Sequence, residues 1–283
     1  MKQLGGLGIV LIKKGEILSL SENVRKAIDG EQVDFRDNRE NALSLLKNDI
    51  HTLVNTKNEQ ASLAIEERKL LAEYLSNISH QLKTPITSMQ IMADLIEIAP
   101  PDKQAEFIAN IKMSLTQMEW LTTALLRLAK LDSGAVTFNK QTLSVTSLAK
   151  TALEPLGILL DIKNQDINIS NNINVSCDIR WTAQALTNII KNASEYSPDS
   201  STIVIDCGEN PIYNWISVTD RGSGIKREDL PKLWGRFTGS RSGDGYGIGL
   251  PLALSIIRSQ NGDIDVDIGG NGKGATFIIK LFK

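Results

Sequence analysis

Two histidines and two cysteines among 283 residues leave little material for metal or thiol chemistry. Cys177 and Cys207 lie in apolar or strand-like runs with no C-x-x-C spacing, so neither a disulfide framework nor a zinc site is expected, and a reducing compartment suits the chain. An excess of charge of one sign is also missing. The 31 Lys and Arg face 33 Asp and Glu, a net charge of −2, which argues against nucleic acid or an anionic membrane surface as an electrostatically captured partner. No run is long and apolar enough to span a bilayer, which takes about 20 residues. Leu4 to Ile12 is apolar for nine residues and is followed by Lys13 and Lys14. Without a signal-peptide cleavage pattern it reads as the tail of a membrane helix, a short buried element or an amphipathic anchor. What is present is ordinary: 41% hydrophobic and 23% charged residues exclude wholesale disorder and collagen, and the length suits two domains.

From about Asn41, Leu43, Leu46, Ile50, Leu53, Ala64, Leu71, Ile78 and Leu82 follow a three-four register, which predicts a long helix with a partner. It should end near Ala99, because Pro100 and Pro101 remove donors, and Asp102 is placed to cap a second helix. That second arm repeats the register through Phe107, Ile111, Leu115, Met118, Leu121, Leu125 and Leu128 and stops near Asp132 to Gly134. One antiparallel pair cannot cover both apolar stripes, so a homodimer closing a four-helix bundle is expected. After Gly134, β-branched runs at Ile203 to Ile205, Ile216 to Thr219, Ile264 to Ile268 and Thr276 to Leu281 alternate with helical stretches, the pattern of an α/β domain. Thirteen of the 21 glycines fall between Gly222 and Gly274, where backbone must turn sharply or approach a ligand.

Chemistry concentrates in five short stretches. Ser79-His80-Gln81-Leu82-Lys83-Thr84-Pro85 lies on the first long helix, with Leu75, Ile78, Leu82, Ile86 and Met89 as its seam. His80 is off that seam, a neutral nitrogen nucleophile near pH 7 with Thr84 one turn away on the same face. Pro85 interrupts the helical bonding there. Asn188 and Asn192, four apart, share a helix face and offer amides to phosphates or Mg2+. Asp220-Arg-Gly222-Ser-Gly224 follows the strand-like Trp215 to Thr219, and its carboxylate can accept from an adenine amino group. Gly243-Asp-Gly245-Tyr-Gly247-Ile-Gly249-Leu250 opens onto the apolar helix Pro251 to Ile257 and turns bare amides towards an anion. Gly272-Lys-Gly274-Ala-Thr276-Phe277 begins the last strand.

In this order the stretches resemble a two-component sensor histidine kinase, over roughly Asn41 to Lys283. HQLKTP is similar to the phosphoacceptor box of a subgroup frequent in Gram-positive bacteria, NIIKNASEYSP to the Asn box, LWGRF to the Phe box, and DRGSG, GDGYGIGL and GKGATF to the glycine boxes. The resemblance implies a dimeric helical hairpin for phosphotransfer and an α/β sandwich, a mixed sheet packed on helices, that binds ATP with Mg2+. On it, His80 receives the γ-phosphoryl group with Gln81 and Thr84 beside it, and Asn192 holds Mg2+. Asn188 helps hold the phosphates, Asp220 reads adenine, and Tyr196, Leu250 and Thr276 complete the pocket shaped by Gly222, Gly224, Gly245, Gly247 and Gly249. Ile225 to Asp244 is the implied lid, pinned by Phe237, with Arg236 or Arg241 supplying its cation.

Three departures from the family pattern stand out. Gln81 replaces the usual carboxylate after the histidine and can only hydrogen bond. Glu195 stands where Lys is common, and Arg236-Phe237-Thr238-Gly239 replaces the usual RFYR or RFYK. The implied organisation is a membrane-proximal connector over 1–40, a signalling coiled coil over 41–70, the dimerisation and phosphotransfer domain over 71–134 and the catalytic domain over 135–283. A response-regulator receiver domain is the implied partner, and the inner face of the membrane the implied location for a longer form.

Overall fold

The computed structural model describes residues 14–28, 31, 33–35, 42–237, 247–269 and 274–283. The apolar stretch of residues 4–12 lies outside them, and no described helix is long and apolar enough to cross a membrane. Two compact units divide the chain, residues 1–75 and 76–283. In the first, helix α1 (Lys14–Ile28) and the start of helix α2 (Ala42–Ile98) bury Leu20 and Leu43 with Phe35 from the segment between them.

The second unit contains the remainder of α2 and helix α3 (Pro101–Asp132), a hairpin whose turn falls on the two prolines, as their lost donors require. Asp102 does not cap α3. Pro100 occupies the cap position without a side-chain bond and Pro101 is the first helical residue, where its fixed φ is already helical, so Asp102 serves as an acidic first-turn residue. Gln104 closes the turn by donating from Nε2 to the carbonyls of Ile96 and Ala99 at 3.2 and 3.0 Å. At the far end, Gly134 (φ 66°) terminates α3, and the Ala135 N–H reaches back to the Lys130 carbonyl at 3.2 Å.

Beyond Gly134 the chain forms a mixed sheet in the order β2 (Asp166–Ile169), β4 (Thr202–Glu209), β5 (Tyr213–Thr219), β7 (Thr276–Phe282), β6 (Gly262–Asp267), with only β2 and β4 parallel. A separate antiparallel ribbon pairs β1 (Lys140–Ser144) with β3 (Asn174–Asp178). Three helices supply the second layer: α4 (Val145–Leu153), α6 (Ile179–Tyr196) and α8 (Gly249–Ser259). Short helices α5 (Gly157–Ile162) and α7 (Leu230–Leu233) lie in the connections.

Burial follows from pattern. On β4, Ile203, Ile205 and Cys207 point inward in strict alternation, and on α6 Ala185, Leu186, Ile189, Ile190 and Ala193 line the buried stripe. Asp178 starts α6 by accepting from the N–H groups of Arg180 and Trp181 at 3.0 and 3.2 Å. The opposite, polar stripe of α6 carries Gln184, Asn188, Lys191 and Asn192. Cys177 and Cys207 are buried and unpaired, and burial raises both thiol pKa values, which keeps them unreactive.

Candidate functional site

The polar stripe of α6, the loop after β5, the start of α8 and the start of β7 converge on a cavity of about 520 Å³. Asn188, Asn192 and Tyr196 line it from α6, Asp220 and Gly224 from the β5 loop, and Gly247, Gly249 and Leu250 from the entry to α8. Eight residues singled out in the sequence thus meet at one place, although they are spread over three segments.

Asp220 is the electrostatic centre of this wall. It is 3% exposed, and its Oδ1 accepts from the N–H groups of Gly222 at 2.7 Å and Ala275 at 3.0 Å. Burial raises its pKa above the ordinary carboxylate range, and those two backbone bonds pull it partly back. Both bonds use the same oxygen, so Oδ2 remains available to a donor in the cavity. The close fit needs glycine at two places. A Cβ on Gly222 would stand 2.6 Å from the Tyr196 carbonyl oxygen, and one on Gly274 (φ +75°) would stand 2.1 Å from the Asp220 carbonyl oxygen. Gly274→Ala is therefore expected to cost about 1 to 3 kcal/mol in backbone strain and crowding, read as a lowered Tm in thermal denaturation.

The end of α6 is tied to this loop. Buried Gln165 donates to the carbonyls of Ser194 and Pro198 at 3.2 and 3.1 Å, and the Ser197 hydroxyl accepts from the Arg221 N–H at 3.0 Å. Asn192 and Tyr196 are thereby held relative to Asp220.

Other expected residues lie beside the cavity. Thr276 shares a hydroxyl bond with Thr219 at 3.0 Å, and its neighbours Ala275 and Phe277 form the wall. Phe237 has φ 63°, donates its N–H to the Gly247 carbonyl at 3.1 Å and packs on the core. Arg236 grips Asp132 at the end of α3 with two bonds, at 2.9 and 2.8 Å. Arg241 and Gly245, with the part of the expected lid beyond Phe237, lie outside the described residues. The wall's cations are Lys191, Lys226 and Lys232, and Trp120 of α3 also lines it. Sequence reading missed these four. Lys226 and Lys232 were legible as basic residues inside the expected lid, whereas nothing local to Trp120 marks it.

His80 stands apart from this wall, exposed on α2. The helix continues through buried Pro85, which deprives the Gln81 carbonyl of its donor one turn on. The Thr84 hydroxyl donates to the His80 carbonyl at 3.3 Å, leaving its oxygen lone pairs open to water. His51 is enclosed by contrast: Nδ1 is buried, Nε2 lies 3.1 Å from Asn55 Nδ2, and the ring packs near Phe35.

Two family models match the chain. The one described as His Kinase A (phospho-acceptor) domain covers residues 70–134, and the one described as histidine kinase-, DNA gyrase B-, and HSP90-like ATPase covers residues 177–283. The Sensor protein SrrB of Staphylococcus aureus is 31% identical over 227 residues, which take in 75% of this chain but only 38% of the relative. This chain therefore corresponds to well under half the length of that relative. Among solved structures, the Acinetobacter baumannii histidine kinase AdeS superposes with a TM-score of 0.61 at 24% identity, over 72% of this chain and 97% of that one. The histidine kinase ThkA, solved in complex with the response regulator protein TrrA, gives 0.63 at 19% identity over 80% and 66%. At these identities the superpositions speak for the fold alone.

Proposed function

Since the chain belongs to the sensor histidine kinases of two-component systems, we propose that it transfers the γ-phosphoryl group of ATP to His80 and from there to an aspartate of a response regulator. The observation that carries this reading is the convergence of Asn188, Asn192 and Asp220 on one cavity beside the bare N-terminus of α8.

Asp220 Oδ2 accepts from the adenine amino group, and the Gly249 and Leu250 end of α8 faces phosphate. Lys191, Lys226 and Lys232 supply the neutralising charge that phosphoryl transfer chiefly requires. The residues also suit Mg2+. Asn192 lines the cavity and would hold the ion through its amide oxygen, a hard oxygen donor of the kind Mg2+ takes. When bound, it offsets charge on the transferring group. His80, exposed on α2, attacks phosphorus through a ring nitrogen, and the P–N bond forms as the bridging P–O bond to ADP breaks. Gln81 serves as a hydrogen-bonding neighbour in place of a carboxylate base. A base contributes about 10²- to 10⁴-fold, so labelling is slow rather than absent.

Dimerisation is part of the proposal. Ile91, Leu95 and Leu115 on the hairpin are 54%, 38% and 54% exposed, an apolar surface that a second copy covers in a four-helix bundle. The solved complex of ThkA with the response regulator protein TrrA supports a response regulator as the partner. Placement at the inner face of a membrane rests on the N-terminal sequence alone.

The test is incubation with γ-labelled ATP: acid-labile label on the protein supports the kinase, whereas free phosphate without label sinks it. Removal of phosphate from the regulator is a second activity, in which the Thr84 hydroxyl positions water. Thr84→Ala is expected to keep autophosphorylation and to slow clearance of phosphorylated regulator by about tenfold, the scale of one lost hydrogen bond. Equal clearance by mutant and parent dimers removes that role.

A further inference from the structure

Arg127 on α3 donates to Gln184 Oε1 on α6, and Gln184 Nε2 donates to Asn188 Oδ1 at 3.4 Å. Asn188 is only 7% exposed, and its Nδ2 is buried without a protein partner although the residue lines the cavity. The direction of this chain of bonds follows from chemistry. A guanidinium has donors only, so Gln184 can meet Arg127 only with its carbonyl oxygen. The Gln184 amino group then faces Asn188, which must answer with its own oxygen. What remains for the cavity is an amino group, and a buried donor left unsatisfied is costly until a ligand oxygen meets it.

We propose that Arg127 and Gln184 are positioning residues that fix the Asn188 amide as a donor towards phosphate oxygens, so that phosphate affinity depends on α3 lying against α6. The inference rests on the nucleotide reading above and deepens it. It separates the two asparagines, Asn188 donating to phosphate and Asn192 presenting its oxygen to metal. It also gives the hairpin a hold on the nucleotide. Displacing α3 removes the donor-only group that orients Gln184, and the Asn188 amide is then free to present either end. A second contact between the same helices, Lys191 Nζ at 5.5 Å over the Trp120 ring, lies on the cavity wall and moves with them.

The experiment is calorimetric titration of the whole 283-residue chain with ADP and, separately, with adenosine. Gln184→Glu still accepts from Arg127 but has no proton for Asn188, which turns its amino group away from the cavity. ADP affinity is expected to fall roughly tenfold, the scale of one lost charge-assisted bond, with adenosine affinity unchanged. Arg127→Lys is donor-only and should bind ADP like the parent. Because Gln184→Glu also adds a charge, two truncations complete the test, of which Gln184→Met leaves the charge unchanged. Arg127→Met and Gln184→Met each weaken ADP about threefold, and the double variant loses no more than either alone, as groups acting in series require. Unaltered ADP binding by Gln184→Glu, an equal loss for adenosine, or additive losses in the double variant would each overturn the relay. A parent chain that binds neither ligand overturns the nucleotide reading along with it.

Discussion

His80→Gln is expected to abolish acid-labile labelling from γ-labelled ATP while ADP affinity stays within a few-fold of the parent. The acceptor lies on α2, outside the wall of the cavity, so its removal leaves the nucleotide contacts intact. Glutamine keeps hydrogen bonding and helical propensity but has no nucleophilic nitrogen, so the loss reports chemistry rather than folding. The chain's other histidine is a poor substitute. His51 has Nδ1 buried and Nε2 beside Asn55, with its side chain 22% exposed, whereas His80 is exposed. Acid-labile phosphate on the His80→Gln protein would therefore require the first unit to open, and would remove His80 as the acceptor.

Asp220→Ala should weaken ATP binding by about 10- to 150-fold, corresponding to roughly 1.5 to 3 kcal/mol for a hydrogen bond to a charged group. The carboxylate accepts on Oδ1 from Gly222 and Ala275, so the substitution also strands two buried N–H groups and loosens the loop that shapes the cavity. Asp220→Asn separates these effects. It keeps an oxygen for the backbone and presents an amino group to the base, so adenine should be rejected while Tm changes little. If GTP binding falls as much as ATP binding in Asp220→Asn, the residue does not read the base.

Asp220 also sets opposite pH trends for the free and nucleotide-bound protein. Its pKa is raised in the folded state by burial, so its contribution to the stability of the free protein is fully present below the ordinary carboxylate range. That contribution is lost as pH rises through the elevated folded value. ATP binding runs the other way, because the adenine amino group needs the ionised carboxylate, and affinity should weaken as pH falls into the elevated range. Thermal melts with and without nucleotide across that interval check both signs.

The long helices and the chemistry-bearing residues were legible in the sequence because their signals are local. The three-four register and Pro100-Pro101 predict helices that differ from α2 and α3 by only a residue or so, and the β-branched runs mark β4, β5, β6 and β7. Asn188 and Asn192 share a face by helical spacing alone. The edge strand β2 and the ribbon strand β1 escaped, since each is short and largely exposed, with little apolar alternation to read. Asp102 was misread as a cap because the preference for proline at the first helical position outweighed it.

What the tertiary structure alone decided is which distant groups meet. Arg236 finds Asp132 across 104 residues, and Arg127 finds Gln184 across 57. Lys191 meets Trp120 between two different helices. No local periodicity encodes such pairs, because each depends on where α3 lies against α6 and α8. That placement comes from burying Leu121, Ala124, Leu128 and Leu131 of α3 in the same core as the sheet, a choice made by the summed apolar area rather than by any one residue. The amino end that Asn188 turns to the cavity follows from it, since the donor that sets the direction arrives only when the helices pack.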